Sequence, residues 1–297
     1  MTAVALTQSE EREFIFNGFR YVAQCWGEEG GLPVLAVHGW LDNSASFTVL
    51  ASQLAGVHFV ALDLAGHGYS DHRIGLSDYP IWSEIAEIYA VADAMGWDQF
   101  AFIGHSRGAM MSILAAAVFP ERISHLILLD ALTPPAVSAN EAPVRMVKSI
   151  HELHRRLKRQ RSCYPTYDAA IKARCQSEFG KVSEASAQLL ASRGLTQLPE
   201  GYNWHADGKL WAPSNLALTA EQIESFIANV KAKTLVLLGK HGLQARRIVG
   251  VSFETLLHKT VTALSAEVQE FDDGHYLHME AAAVSVAAAI QAFLLTS

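Results

Sequence analysis

Short apolar segments recur along the chain and predict the strands of a buried sheet. They are LPVLAVH (32–38), VHFVALD (57–63), FAFIGH (100–105), SHLILLD (124–130), TLVLLG (234–239) and AEVQEFDD (266–273). Most of them are continuous apolar runs rather than alternating ones, which is typical of parallel strands that are covered on both faces.

Helical periodicity fills most of the intervals between these segments. The spacing of apolar positions predicts helices in SFTVLASQLA (46–55), IWSEIAEIYAVADAMG (81–96), SRGAMMSILAAAVFP (106–120) and EAAAVSVAAAIQAFLL (280–295). Strands that alternate with helices predict an α/β fold. Before the first of these strands, EFIFNGFRYVAQCWG (13–27) predicts a hairpin that turns at Asn17 and Gly18 and adds antiparallel strands at one edge of the sheet.

The alternation stops between Asp130 and Thr234, where the sequence becomes polar, basic and helical. We therefore predict a helical cap, or lid, over 131–215, inserted into a core domain formed by 1–130 and 216–297. The segment TAEQIESFIANV (219–230) again has the pattern of a core helix, and its first residues are spaced for a capping box.

The composition indicates a globular protein with a large core, since 50% of the 297 residues are hydrophobic and 18% are charged. A net charge of −7 argues against a nucleic-acid partner, because nucleic acids are bound mainly by clustered Lys and Arg. The charge is uneven: 131–215 holds 12 Lys and Arg against 7 Asp and Glu, so it carries +5 while the rest carries −12. We interpret its densest part, HELHRRLKRQR (151–161), as the solvated face of a helix, ahead of a site for anionic substrates or membranes.

Three cysteines, Cys25, Cys163 and Cys175, form neither a disulfide framework nor a zinc-binding pattern. They favour a reducing, cytoplasmic location without a metal site. No secretory signal is visible in MTAVALTQSEEREF (1–14), and no apolar run approaches the ~20 residues that span a bilayer. We expect a small-molecule substrate as the partner of a monomer or homodimer.

The pentapeptide GHSRG (104–108) is the strongest chemical signal in the chain. It follows the strand FAFIGH and precedes a helical pattern, which is the strand–turn–helix context of a nucleophile elbow. In so tight a turn, side chains at Gly104 and Gly108 would collide with neighbouring backbone. We therefore predict Ser106 as a catalytic nucleophile, raised above the edge of the sheet.

A serine hydroxyl needs a base within hydrogen-bond reach before it can attack a carbonyl. His275, in DDGHYLHME (272–280), follows the last strand and precedes the C-terminal helix, so we expect it at the same sheet edge as Ser106. It also comes last in the chain order of Ser, acid and His that accompanies such an elbow. His278 is the alternative, although its position at the start of the helix favours a packing or capping role.

The third member of a triad is a carboxylate that fixes the tautomer of the histidine. Its usual place after the strand TLVLLG reads GKHG (239–242), which contains no carboxylate. Asp130 ends the preceding strand, SHLILLD, from which an acid can reach the same histidine, and we predict it as the triad acid. Asp272 and Asp273 remain alternatives.

Two backbone N–H groups are predicted to stabilise the oxyanion of acyl transfer, those of Trp40 and Arg107. Trp40 follows the strand VLAVH in a turn in which Gly39 lets the chain bend inward. We expect the side chain of Arg107 at the surface or against the lid.

An acyl pocket is predicted between the core and the lid, which is a typical place for a ligand site. Its candidate lining residues are the aromatics Trp40, Phe47, Trp82, Tyr164, Tyr202, Trp204 and Trp211. Substrate contacts are predicted for His38, Gly39, Trp204 and Trp211. The glycine-rich loop DLAGHGYS (63–70) is interpreted as scaffold.

Several segments resemble the α/β-hydrolase superfamily and, more narrowly, the proteins called serine hydrolase-like. They are HGWLDNSASF (38–47), DLAGHGYSDH (63–72), GHSRGAM (104–110), FPERISHLILLDAL (119–132), VSEASAQLLASRGLTQ (182–197), DGKLWAPS (207–214) and DDGHYLHMEA (272–281). The resemblance implies an eight-stranded, mostly parallel sheet with helices on both faces, an inserted helical lid after the sixth strand, and neither metal nor organic cofactor. Many superfamily members carry the acid after the sixth strand, which favours Asp130.

Together these features predict a carboxylesterase-like serine hydrolase that cleaves an ester or thioester of a small acyl substrate through an acyl-enzyme. Serine at position 106 excludes dehalogenases and epoxide hydrolases of this fold, because their nucleophile is a carboxylate. A C–C bond hydrolase or lactonase with the same triad remains an alternative, as does a non-catalytic small-molecule receptor.

Overall fold

The computed structural model describes residues 6–159, 163–177, 180–243 and 253–296. Its strands are β1 (Glu10–Phe16), β2 (Phe19–Gly27), β3 (Leu32–Val37), β4 (Val57–Leu62), β5 (Phe100–His105), β6 (Ile123–Leu129), β7 (Leu195–Leu198), β8 (Gly201–Trp204), β9 (Lys233–Gly239) and β10 (Glu267–Phe271). Eight of them form one sheet in the order β1-β2-β4-β3-β5-β6-β9-β10. The predicted α/β fold with a mostly parallel sheet is confirmed, because only β1–β2 and β2–β4 pair antiparallel within it.

The N-terminal hairpin lies at the edge of the sheet, as predicted. Asn17 and Gly18 have positive φ values of 51° and 78°. A type I′ hairpin turn needs such values at both central positions, and its geometry matches the right-handed twist of the flanking strands.

The helices are α1 (Thr48–Ala51), α2 (Ile85–Ala94), α3 (Arg107–Val118), α4 (Ala142–Lys158), α5 (Tyr167–Cys175), α6 (Glu184–Gly194), α7 (Ala220–Asn229), α8 (Phe253–Leu264) and α9 (Ala283–Leu294). They cover both faces of the sheet, and β5 shows why its apolar run is continuous. Phe100 and Phe102 pack in a layer with α2, α3, α7 and α8, whereas Ala101 and Ile103 pack in the opposite layer with α1 and α9. Successive side chains of a strand point to opposite faces, so a strand covered on both sides is apolar throughout.

The inserted segment contains more than the predicted helices. Besides α4, α5 and α6, it holds the antiparallel pair β7–β8 and a 3-10 helix over Gly208–Trp211. Each of these two strands has four residues, which is too short for an apolar period to become visible in the sequence. The core and lid boundaries themselves stay a prediction.

Two predictions fall partly outside the described residues. Positions 160–161 of the basic cluster and 1–5 of the N-terminal segment lie there. Of the helices within the described ranges, none combines the length and the apolarity needed to cross a bilayer.

A buried ion pair fastens α6 to the sheet. Nε of Arg193 donates to Oδ2 of Asp63 at 2.9 Å, just after the end of β4. Asp63 also accepts hydrogen bonds from the backbone N–H of Ser44 at 2.7 Å and of Tyr69 at 2.9 Å. The carboxylate thus holds three separate segments, which supports the interpretation of the loop 63–70 as scaffold.

We expect Arg193→Met to lower the free energy of unfolding by about 3 kcal/mol, because the carboxylate of Asp63 would stay buried without its cationic partner. Arg12→Met is the matched control, since Arg12 and Glu29 form an exposed ion pair at 3.8 Å. It should cost less than about 1 kcal/mol. Urea unfolding followed by circular dichroism measures both variants, and equal losses would contradict the anchoring role.

Candidate active site

Ser106 occupies a strained turn between β5 and α3. Its φ of 52° and ψ of −117° lie outside the regions that L residues favour. A Cβ at Gly104 would lie 2.5 Å from Cα of Ala109, and one at Gly108 would lie 2.2 Å from the carbonyl oxygen of Val37. Both glycines are therefore steric requirements of the turn, and the serine side chain stands at the carboxyl end of β5.

A chain of hydrogen bonds joins the three residues of the predicted triad. Nε2 of His275 lies 2.9 Å from Oγ of Ser106, and Nδ1 of His275 lies 2.6 Å from Oδ2 of Asp130. Ser106 is partly exposed, whereas His275 and Asp130 are buried. A ligand can therefore contact the hydroxyl of Ser106 but not the carboxylate of Asp130. The parallel strands β5 and β6 and the loop after β10 bring these residues to one edge of the sheet.

Backbone amides hold the carboxylate of Asp130 in position. Its Oδ1 accepts a hydrogen bond from the N–H of Gly239 at 3.0 Å, and its Oδ2 accepts one from the N–H of Leu243 at 2.9 Å. A Cβ at Gly242 would lie 2.2 Å from that Oδ2. The GKHG turn has no carboxylate of its own because the side chain of Asp130, from the neighbouring strand, fills the space in front of it.

The alternative residues have structural contacts of their own. Asp272 lies 3.1 Å from His241 on the surface. Asp273 accepts a hydrogen bond from the N–H of Ala282 at 2.7 Å, which ties the loop after β10 to the start of α9. His278 is completely buried and packs in the core. Nδ1 of His275 faces Asp130, the residue that follows β6, instead.

The turn after β3 packs directly against the nucleophile elbow. A Cβ at Gly39 would lie 2.9 Å from Nδ1 of His105. His38 is completely buried; its Nδ1–H donates to the carbonyl of Gly39 at 2.7 Å, and its Nε2 accepts from the N–H of Leu64 at 3.1 Å. The predicted substrate contact by His38 does not fit these contacts, because both ring nitrogens are engaged and no ring surface is exposed. The ring fixes the turn that carries Trp40.

Arg107 is the first residue of α3, so its N–H is one of the amides that a helix leaves without an intrahelical partner. The sequence suggested a side chain at the surface or against the lid, but the guanidinium is largely buried and turned toward the segment that precedes α2. It donates to the carbonyl of Tyr79 at 2.6 Å and lies 3.4 Å from Oε1 of Glu84. Burial raises the pKa of the Glu84 carboxyl, which Arg107 counteracts. A buried carboxylate from a distant segment, which the local sequence does not reveal, attracts the guanidinium inward.

Comparison with known proteins places this geometry in a family. A family model described as alpha/beta hydrolase fold matches residues 33–159. The human serine hydrolase-like protein 2 is 30% identical over 227 residues, which are 74% of this chain and 72% of that protein. The chain belongs to the α/β-hydrolase family.

Solved structures agree with this assignment. A hypothetical protein of Pseudomonas aeruginosa PAO1 is 35% identical to this α/β hydrolase, with a TM-score of 0.89 over 97% of this chain and 100% of the other. A thioesterase domain from the curacin biosynthetic pathway is 25% identical, with a TM-score of 0.81 over 98% and 100% of the two chains. Within the family the chain resembles serine hydrolase-like proteins, and the fold and these relatives together support a hydrolase.

A cavity of about 870 Å³ lies between the sheet edge and the inserted segment of this hydrolase. Four of the predicted aromatic residues line it: Trp40, Tyr164, Trp204 and Trp211. Phe47 and Trp82 pack against the two core layers instead, and Tyr202 packs against Tyr167. The ring centroids of Trp40 and Trp211 lie 4.7 Å apart. One wall of the cavity is therefore formed jointly by the turn after β3 and the inserted segment.

A polar network in the cavity wall was not predicted from the sequence. Oδ1 of Asp42 accepts a hydrogen bond from Nη2 of Arg174 at 3.0 Å, and Oδ2 accepts one from the hydroxyl of Tyr276 at 3.1 Å. The guanidinium also lies over the Tyr276 ring, 4.9 Å from its centroid. The network joins the turn that carries Trp40, the helix α5 and the residue next to His275. Asp42, in the segment HGWLD, was the part of this network that the sequence displayed. Its partner Arg174 lies 132 residues away, so the pairing itself left no local pattern.

Buried neutral histidines pack around the site. His38, His67, His105 and His278 are completely buried, and burial lowers the pKa of each. For His105 the pKa falls to about 3. These rings are therefore packing and hydrogen-bonding groups near neutral pH, not cations.

Acid should destabilise the hydrolase through these rings. Each histidine takes up a proton more readily when unfolded, so its contribution to stability is complete above about pH 6.5 and is lost as the pH falls below that value. For His105 the loss continues down to its folded pKa of about 3. Urea unfolding at about pH 7 and about pH 5 should therefore show a lower midpoint at pH 5.

His105→Gln should make this pH dependence shallower, because one buried titrating ring is removed. His258→Gln, at an exposed position on α8, is the control and should leave the slope as it is. An unfolding midpoint that does not change with pH would contradict the assignment of these rings as buried and neutral.

Proposed function

We propose that this α/β hydrolase is a serine hydrolase that cleaves the ester or thioester bond of a small acyl substrate. Ser106 is its nucleophile, His275 its base and Asp130 the acid that orients the base. The 2.9 Å contact between Nε2 of His275 and Oγ of Ser106 carries the proposal, because a serine hydroxyl becomes an effective nucleophile only when a base takes its proton.

In the first half-reaction, Oγ of Ser106 attacks the substrate carbonyl while Nε2 of His275 takes the hydroxyl proton. The resulting tetrahedral oxyanion is stabilised by the backbone N–H groups of Trp40 and Arg107. Collapse of this intermediate breaks the bond to the alcohol or thiol, which leaves with the proton from the imidazolium. An acyl ester on Ser106 remains.

In the second half-reaction, a water molecule attacks the acyl ester. His275 takes a proton from this water and then returns it to Oγ of Ser106 as the carboxylic acid leaves. The enzyme is thus regenerated, with one ester and one water converted to one acid and one alcohol.

In both half-reactions, Asp130 fixes the tautomer of the His275 ring. Its carboxylate accepts the Nδ1–H of His275 at 2.6 Å, so the lone pair of the neutral ring lies on Nε2, toward the serine. The same contact stabilises the imidazolium that forms in the transition state. The two backbone amides on the carboxylate keep it in place for this purpose.

The aromatic cavity and one solved structure support acyl substrates. Trp40, Trp204 and Trp211 offer apolar walls for an acyl group, next to the turn proposed for the oxyanion. The neighbour from curacin biosynthesis is a thioesterase domain, and this favours thioesters alongside simple carboxylic esters.

A fluorophosphonate probe tests the nucleophile directly. We expect the probe to label the wild-type chain at Ser106 and to leave Ser106→Ala unlabelled, as seen by intact mass and peptide mapping. Ser112→Ala, at a buried serine of α3, is the control and should label like the wild type. A wild-type chain that resists labelling at high probe concentration would contradict the enzyme and support a non-catalytic receptor.

Asp130→Asn should reduce kcat by about 10⁴-fold, because an amide in this position favours the wrong tautomer of the base. Ester hydrolysis by purified protein measures the loss, and unchanged turnover would remove Asp130 from the triad. The second variant, Asp130→Gly with Gly242→Asp, moves the carboxylate to the loop after β9. It should recover part of the activity that Asp130→Gly alone loses.

Gly242→Asp in the wild-type background is the control for this exchange. It should lower activity, because its Cβ would collide with the carboxylate already present. A double variant no more active than Asp130→Gly would contradict the idea that the two positions share one acid site.

A further inference from the structure

Helix α4 of the inserted segment exposes its apolar side. Met146, Val147, Ile150 and Leu157 recur at the spacing of one helix face. Their exposed fractions are 39%, 54%, 46% and 52%. We call these four residues the apolar stripe.

The side of α4 that packs on the protein is mostly polar. Ser149 is completely buried there, together with the apolar Leu153. Nε of Arg145 donates to a backbone carbonyl at 2.9 Å, and Arg156 pairs with Glu152 at 2.5 Å. The apolar side of a surface helix normally faces the protein core. The opposite arrangement in α4 marks its outer face as a binding surface.

Apart from Val144, which is 73% exposed near the start of the helix, the remaining exposed side chains of α4 are mainly basic. The helix holds five Lys and Arg against one carboxylate, in a chain whose net charge is −7. Lys148, Arg155 and Lys158 are exposed, and so are His151 and His154. A helix with an exposed apolar side and a basic polar side is typical of segments that lie in the interface of an anionic bilayer.

The charge of α4 favours a bilayer over a second copy of the chain as the partner of its exposed face. A two-fold dimer through α4 would bring two cationic helices together, and their like charges would repel. The surface of an anionic phospholipid bilayer offers hydrocarbon to the apolar stripe and phosphate to the cations. We propose that α4 docks this protein on such a surface, with its axis in the plane of the bilayer.

The docking surface adjoins the cavity. Arg156, Leu157 and Arg159, at the C-terminal end of α4, line the cavity beside Trp40 and Trp211. An acyl substrate dissolved in the bilayer would therefore reach the cavity without crossing water. This last step rests on the proposed function, whereas docking itself does not.

Vesicle sedimentation with the full chain tests the docking. The wild type should sediment with vesicles of phosphatidylcholine and phosphatidylglycerol, remain in solution with phosphatidylcholine alone, and be released at about 1 M salt, where charges are screened. Val147→Ser combined with Ile150→Ser should weaken binding about tenfold, because less apolar area enters the interface. Ile74→Ser removes an apolar residue that is 90% exposed outside α4, and it should bind like the wild type.

The cations are tested in the same assay. Lys148→Gln and Lys158→Gln should each weaken binding about fivefold, whereas Lys231→Gln, an exposed lysine outside the helix, should change it little. Circular dichroism confirms that each variant is folded. Phosphonate labelling of Ser106 reports the hydrolase site separately, so failure of docking and failure of the proposed function are distinguishable.

Two results would overturn the proposal. One is a wild-type chain that stays in solution with anionic vesicles. The other is a dimer in sedimentation velocity that Ile150→Ser dissociates while vesicle binding is absent, which would assign the apolar stripe to a second copy.

Discussion

The backbone turn between β5 and α3 imposes a constraint on every element around the candidate site. It holds Ser106 at a positive φ and requires glycine at positions 104 and 108, because a Cβ at either place would meet the backbone of α3 or β3. Strain of this kind persists only where the surrounding structure is well packed. The buried strand β5 and the first turns of α3 provide that packing, and the turn after β3 packs against it through Gly39 and His105.

The carboxylate of Asp130, the acid of the proposed triad, occupies the position that a side chain at residue 242 would need. Amides from the loop after β9 hold it there. With the carboxylate at position 130, position 242 has no room for a side chain. The glycine that departs from the usual pattern in the sequence thus accompanies the aspartate that follows β6.

The parts that the sequence could predict are those set by local patterns. The continuous apolar runs predicted nearly the observed bounds of β3, β4, β5, β6 and β9, because a strand buried on both faces is apolar at successive positions. β10 is different, since it lies at the edge of the sheet and most of its residues are exposed. The elbow was visible because its two glycines and serine are adjacent in the chain.

Other features depend on pairs of residues far apart in sequence. The inward turn of Arg107 toward Glu84, the contact of Asp42 with Arg174, and the anchor between Asp63 and Arg193 leave no local pattern. The short strands β7 and β8 were missed because four residues cannot show a period. His38 was expected to contact substrate, but its imidazole is hydrogen-bonded to the backbone of Gly39 and Leu64 and so fixes the turn after β3.

The proposed chemistry requires a covalent acyl group on one serine during turnover. Rapid quenching of p-nitrophenyl acetate hydrolysis, followed by mass spectrometry, observes this species directly. The account predicts a burst of p-nitrophenol equal to the enzyme concentration, with one acetyl group on the peptide that contains Ser106. Hydrolysis that proceeds without any acetylated peptide, or with the acetyl group on another residue, would contradict it.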